Sequence, residues 1–421
     1  MSLTLLFLSV DSLKNRRLTA GLTILAIALS VFLFLGVEKV RTEVKESFSN
    51  TISGTDLVVG ARSGSIQLLL YSVFRIGNAT SNVSWKSFQV ISQLKEVAWT
   101  IPISLGDSHR GFRVLGTNSN YFKFYRYGQK NVLKFKVGGQ FNDMFDAVLG
   151  ADVAEELGYK LNQKIILSHG IGRISGFDHS DKPFRVSGVL AKTGTPLDRT
   201  VHISLGGMEA IHIDWRGGAP IPGLSVSQDE VRELELRPKS ITAFLVGLKS
   251  KFKIFKVQRM INQYRKEPLL AVLPGVALQE LWSLMSAAER GLSMISTLVV
   301  GVSLLVMIAM LFSSLNERRR EMAILRSVGA RVTHIFFLLI FEAGLLTLIG
   351  VTVGILMLYS CLLIAQPMIQ NELGLFLAIK FLGRGDIVIL VCIFIAGLLT
   401  GAIPAIRACK YSLADGMIIK L

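Results

Sequence analysis

Cysteine and charge are what this chain of 421 residues has least of. Its three cysteines, Cys361, Cys392 and Cys409, all lie beyond residue 360. The long segment 38–291 contains none, so no disulfide holds it and it must bury an apolar core of its own. No CxxC or Cys/His zinc spacing occurs. The chain has no GxxxxGK[ST] loop, and indeed no Gly-Lys pair, so it cannot cradle ATP phosphates in that way. HExxH is absent too, as are internal repeats and low-complexity tracts. Charged residues make up only 18% of the chain, where soluble domains carry about a quarter.

Apolar sequence is what is abundant: 51% of residues are hydrophobic and the mean hydropathy is +0.50. Residues 18–37 form one unbroken apolar run, and three more follow at 292–315, 335–365 and 387–403. A run of about twenty apolar residues matches the hydrocarbon thickness of a bilayer. Helices that long without charge have no polar face to give to water, which excludes a soluble core as their home. The first run follows Lys14, Arg16 and Arg17 as a secretory leader would. It exceeds the roughly 7–15 residues of a leader's apolar region and lacks a small-x-small cleavage site, so it reads as an uncleaved anchor.

Basic residues set the expected orientation. With the N-terminus cytoplasmic, the short inner pieces 1–17, 316–334 and 404–421 hold eleven Lys/Arg, and the short outer loop 366–386 holds two, Lys380 and Arg384. The segment 38–291 then lies outside, since long domains are translocated with little regard to charge. The net charge of +16 does not indicate nucleic acid. Basic residues beside a membrane orient the chain and meet anionic lipid.

The expected order is a cytoplasmic N-terminus at 1–17, a first span at 18–37 and a stalk helix at 38–54. A core domain at 55–275 and a second stalk at 276–291 follow. Spans at 292–315, 335–365 and 387–406 are then separated by a cytoplasmic loop at 316–334 and an external loop at 366–386, with 407–421 as the cytoplasmic C-terminus. The fold class is a membrane α-helical protein, four transmembrane helices in a 1+3 arrangement, with a large mixed α/β extracytoplasmic domain on two stalk helices. Val37, Val40, Val44, Phe48 and Ile52 repeat at helical steps, as do Leu278, Leu281, Leu284, Met285 and Ala288, which marks the stalks. Alternating runs at 57–59, 112–115, 164–167, 184–190 and 201–204 suggest strands, and 151–157 a short helix. Residues 237–266 read as a strand followed by a basic helix. The aromatic and basic residues interleaved over 121–136 read as strand and turn with one buried side.

The most specific motif is Asn316-Glu-Arg-Arg-Arg-Glu-Met-Ala-Ile-Leu-Arg-Ser-Val-Gly-Ala-Arg331, between the second and third spans. Met322, Leu325 and Val328 share one helical face, and Gly329 is placed as a C-terminal stop. A short amphipathic helix rimmed by charge can dock in a groove of a cytosolic partner. This loop, the one-plus-three span order and Pro404-Ala-Ile-Arg-Ala408 resemble the MacB/FtsX/LolC-type permeases of ATP-binding-cassette systems. Val148-Leu-Gly-Ala-Asp-Val-Ala-Glu-Glu-Leu-Gly158, Asn162-Gln-Lys-Ile-Ile166 and Phe112-Arg-Val-Leu-Gly-Thr117 with Tyr121-Phe122 look like that family's external core. Asp56-Leu-Val-Val-Gly-Ala61 and Thr193-Gly-Thr-Pro-Leu-Asp-Arg199 look like marks of a subgroup of unassigned substrate.

The resemblance implies a non-catalytic permease in a bacterial inner membrane, paired with a second permease copy, identical or a close paralogue. It implies two copies of a separate ATPase carrying ATP and Mg, with no cofactor on this chain. With 17 residues before the first span and no phosphate loop, an ATPase partner is expected. An external lipoprotein or accessory protein is a further partner to look for. The loop residues implied to couple to the ATPase are Glu317, Arg318, Arg319, Arg320, Glu321, Met322, Leu325, Arg326, Val328 and Gly329. The alternative is a transmembrane sensor that activates an external enzyme or binds a ligand or a metal such as zinc.

Two further groups of residues bear on chemistry. Glu342 is the one acidic residue inside a span, where an ionisable group marks either a proton or cation site or a pair with a nearby Arg; pairing is the expectation. Gly350-x-x-x-Gly354 and Gly397-x-x-x-Gly401 permit close helix contact. Outside, His169 with His179 and Asp181, and His202 with His212 and Asp214, combine imidazole and carboxylate as zinc sites do. Spacings of ten residues match no standard zinc pattern, and His109 stands apart, so the expectation from sequence is no metal centre.

Overall fold

The computed structural model describes residue 13 and residues 16–409, apart from 170–177, 217–218, 222–225, 235, 318–321, 323, 325 and 374–378. The described chain divides into two compact units: 1–43, 286–368 and 377–421 form one, and 44–285 with 369–376 the other.

The first unit is built from long apolar helices: α1 (Arg17–Thr51), α2 (Pro274–Glu317), α3 (Val332–Leu373) and α4 (Arg384–Cys409). Each is long and apolar enough to cross a membrane. The boundaries at 43/44 and 285/286 fall inside α1 and α2, and α2 stays helical through Gly291, so span and stalk share one helix in each case. α3 runs to Leu373, past the expected span end at 365 and through Pro367, so neither the fall in hydropathy nor the proline ends it. Many apolar side chains point outward, among them Leu298, Leu356 and Leu399, as a lipid-facing surface requires.

Helices α1, α3 and α4 meet at glycines. A Cβ on Gly350 would lie 2.7 Å from Ile27 Cγ2, and one on Gly354 2.7 Å from the Ala28 carbonyl oxygen and 2.9 Å from Val31. Added to Gly397 or Gly401, it would strike Thr347 or Ala343 at 2.3 Å. One motif therefore seats α3 on α1 and the other seats α4 on α3, by contacts only small residues allow. Glu342 is wholly buried among these helices. Near the outer expected ends, Lys39 Nζ lies 3.0 Å from Asp386 Oδ2, with both side chains about nine-tenths buried. Lys39 also donates to the Phe381 carbonyl, and Asp386 accepts from the Gly383 amide.

The second unit is built on one mixed sheet of eleven strands. In chain order these are β1 (Leu57–Ala61), β2 (Val97–His109), β3 (Phe112–Thr117), β4 (Phe135–Gly138), β5 (Asp146–Leu149), β6 (Lys164–Ile165), β7 (Ser168–His169), β8 (Phe184–Leu190), β9 (Thr200–Ser204), β10 (Ala243–Leu248) and β11 (Leu269–Val272). The spatial order is β11-β1-β10-β2-β3-β9-β5-β8-β4, with β7 paired to β2 and β6 to β8. Pairs β3/β9 and β5/β8 are parallel and the rest antiparallel. The helix Ala151–Glu156 follows β5, and the basic helix Ile254–Asn262 follows β10.

Phe48 and Ile52 of α1 and Ala277 and Leu278 of α2 join Tyr121, Phe122 and Tyr125 in one core cluster. The aromatic residues of 121–136 are therefore mostly interior. Tyr121–Phe124 lies in a helix, not a strand, and the Tyr125 hydroxyl donates to the Thr51 carbonyl at the end of α1. Buried Asp198 closes the Thr193–Arg199 turn by accepting from the Thr193 and Gly194 amides, which gives that motif a structural reason.

Candidate functional site

Two places concentrate chemistry: the loop between α2 and α3, and a histidine cluster in the external unit. In the loop, residues 318–321, 323 and 325 lie outside the described residues, so nothing is said of Arg318, Arg319, Arg320, Glu321 or Leu325 there. Glu317 ends α2. Met322, Ile324, Arg326 and Ser327 are helical, and the helix stops at Gly329, whose φ of 102° places it where side chains are strained. Met322 turns inward to pack with Leu315, Ile335, Leu339, Ala405 and Ala408. Val328 is 83% exposed and Ile324 56%. Met322 and Val328 thus have different tasks, despite their helical spacing. The inward side chain pins the loop to the spans, and Ile324 and Val328 form the apolar face left outside.

The external cluster consists of Asp107, His169, His179 and His212, whose ligand atoms all lie within 4.8 Å of one another. Four elements converge on it. Asp107 sits where β2 and β3 lose regular register between Leu105 and Ser108, and a bulge of this kind re-aims a side chain. β7 pairs with β2 so that His169 is the cross-strand partner of Asp107. His179 follows the bridge between Ser168 and Asp178, and its amide donates to the Leu167 carbonyl. His212 follows the helix Leu205–Ala210. Its Nδ1 is 2.8 Å from the Met208 carbonyl, which fixes Nδ1–H as donor and leaves the Nε2 lone pair facing the cluster.

Asp107 Oδ1 is 3.2 Å from His169 Nδ1 and 3.5 Å from His212 Nε2, and those two nitrogens are 3.3 Å apart. Asp107 and His179 are buried, and His169 and His212 are half-buried. Despite these distances, neither Asp107 oxygen and neither His179 ring nitrogen has a directed hydrogen bond among the described residues. Burial holds the His179 pKa down to about 4, so its imidazole is neutral near pH 7. Burial also opposes protonation of His212, but the Asp107 carboxylate outweighs it and raises that pKa. Trp215 lies against the cluster, its ring tilted on that of His179 with centroids 4.2 Å apart.

The remaining sequence candidates are elsewhere engaged. Asp181 and Asp214 hold Lys182, a fully buried lysine whose Nζ lies 2.7 Å from Asp214 Oδ2. His202 is buried against Tyr121 and Phe122, with Nδ1 3.2 Å from the Val148 carbonyl, and burial drives its pKa to about 3. The six candidates therefore do not form the two groups that their spacing suggested. Three join Asp107, which carried no sequence signal because its partners lie at least 62 positions away. His109 pairs with Tyr159 and the Ile166 carbonyl.

Comparison with known proteins gives the class. The MacB-like periplasmic core domain matches residues 20–263 and the FtsX-like permease C-terminal domain residues 293–413. Among solved structures, the extracellular domain of the noncanonic ABC-type transporter YknZ from Gram-positive bacteria is 13% identical with a TM-score of 0.32. It covers 52% of this chain and 99% of that one. The periplasmic region of MacB from Actinobacillus actinomycetemcomitans is 11% identical with a TM-score of 0.34, covering 55% and 94%. Values this low leave the two family matches as the ground for membership. None of the curated protein sequences matches the chain. The chain is an ABC transporter permease. It belongs to the MacB/FtsX-type family, as a membrane protein with an extracytoplasmic domain, and that family works with ATPase partners.

Proposed function

We propose that this permease transmits the work of a separate cytosolic ATPase to its external domain, moving substrate outside the membrane without catalysis of its own. The observation that carries this reading is the loop. Met322 anchors it to the spans, and Ile324 and Val328 stay exposed next to an arginine-rich stretch, as a docking element for another protein needs. α1 and α2 each run as one helix from span into stalk, which gives a displacement a continuous path to travel. The supporting topology has both termini and the loop in the cytoplasm and the sheet domain outside, in a bacterial inner membrane. Two permease copies and two ATPase copies, with ATP and Mg on the ATPase, complete the assembly. Glu342, buried in the helix bundle, is read as the partner of a nearby Arg at the cytoplasmic side in preference to a proton or cation site.

The test is to purify the full chain with its ATPase after changing Ile324→Asp and Val328→Asp. Burying one aliphatic side chain in a partner's groove is worth about 1.5–3 kcal/mol, so association should weaken by at least about tenfold while membrane insertion persists. Normal complex formation and normal ATP turnover with both changes would remove the loop from this role.

A further inference from the structure

We propose that Asp107, His169, His179 and His212 form a binding site for a divalent transition-metal ion of the zinc class. The distances favour it. A metal bound at about 2.0–2.1 Å holds tetrahedral ligand atoms about 3.3–3.4 Å apart. Three separations within the cluster, 3.2, 3.3 and 3.5 Å, bracket that edge. Asp107 Oδ1, His169 Nδ1 and His212 Nε2 gather at these distances, while the buried Asp107 oxygens and His179 nitrogens have no directed hydrogen bond among the described residues. Unpaired buried polar atoms cost about 1–3 kcal/mol each, and one ion satisfies all four side chains at once.

The chemistry selects the ion. Three imidazoles and one carboxylate suit zinc and its neighbours, whereas calcium and magnesium require oxygen donors. The supporting contacts are also those of a metal site. His212 is oriented by the Met208 carbonyl through its other ring nitrogen, as ligating histidines are. Lys182 already occupies Asp181 and Asp214, which keeps those carboxylates from competing for the ion. His169 and His212 retain solvent-facing surface, so the ion enters and leaves from that side while the sheet stays folded.

The site is independent of ATPase coupling and is tested separately. The full chain, carrying an affinity tag without histidine, is stripped with chelator and titrated with Zn²⁺ or Co²⁺. The expected result is one tightly bound ion per chain, tetrahedral cobalt absorption and a rise in melting temperature on loading. His169→Ala and His212→Ala should each weaken binding by at least about 100-fold, since even outer-shell changes cost about 10- to 100-fold. His334→Ala should leave binding unchanged. His169 is half-exposed, so its variant should fold, and circular dichroism of the stripped protein verifies this. No stoichiometric binding by the folded wild-type chain, or binding that survives His169→Ala combined with His212→Ala, would overturn the site.

Discussion

Each unit buries a lysine against an aspartate, and the two pairs behave differently because their surroundings do. In the external unit, Lys182 is wholly enclosed, 2.7 Å from Asp214, in a domain whose cores are packed with Val, Ile, Leu and Phe. In the membrane unit, Lys39 within α1 and Asp386 in the first turn of α4 sit 3.0 Å apart, and a carbonyl and an amide complete the contact. The first pair is locked inside a folded core. The second clips α4 to α1 in a helix unit where glycines already seat α3 on α1 and α4 on α3. The sheet unit thus depends on satisfying polar groups it has trapped, and the helical unit on how closely its backbones approach.

Breaking the enclosed pair should have the largest effect. Lys182→Ala leaves Asp214 buried and uncompensated, which costs about 3–5 kcal/mol. Denaturant unfolding of the full chain should show the loss in the transition of the external unit alone. Acid should act next most strongly. His202 and His179 have folded-state pKa values of about 3 and about 4, below the ordinary 6.5. A depressed histidine stabilises fully above its unfolded pKa and loses that contribution as pH falls toward the folded one. From pH 6.5 to 4, His202 alone should cost the external unit about 3 kcal/mol, at about 1.4 kcal/mol per unit. Replacing His202 with Gln should flatten that slope, measured as melting temperature against pH.

Close approach is the corresponding weakness of the helical unit. Gly354→Leu should destabilise it by about 1–3 kcal/mol through overpacking. Gly301, where an added Cβ would meet nothing within 4 Å beyond its own helix, should accept Leu without change. The smallest effect is expected at Lys39→Met. Its partner Asp386 keeps the Gly383 amide, so thermal unfolding in detergent should fall by no more than about 1–2 kcal/mol.

The same contrast explains what could be read without coordinates. Span order was legible because a bilayer demands about twenty apolar residues in a row, a local signal. The strands at 184–190 and 201–204 were legible from alternation, and the helix near 151–157 from its pattern. The metal-ligand cluster was not, because Asp107 and His169 meet through strand pairing and His212 arrives from a separate helix. Histidines ten residues apart looked like partners, yet Asp181 and Asp214 turned to a lysine that composition could not place. Helical spacing also grouped Met322 with Val328, although one is buried and the other exposed. Periodicity fixes a face of a helix but not how much of that face is covered.

The claim that an ATPase moves the external domain is tested most directly by movement itself. With the native cysteines replaced and Met285→Cys labelled on α2, the permease and its ATPase are reconstituted and probe fluorescence is followed on adding ATP. The account predicts an ATP-dependent change that disappears with Val328→Asp. A probe indifferent to ATP, or a response that Val328→Asp leaves intact, would contradict it.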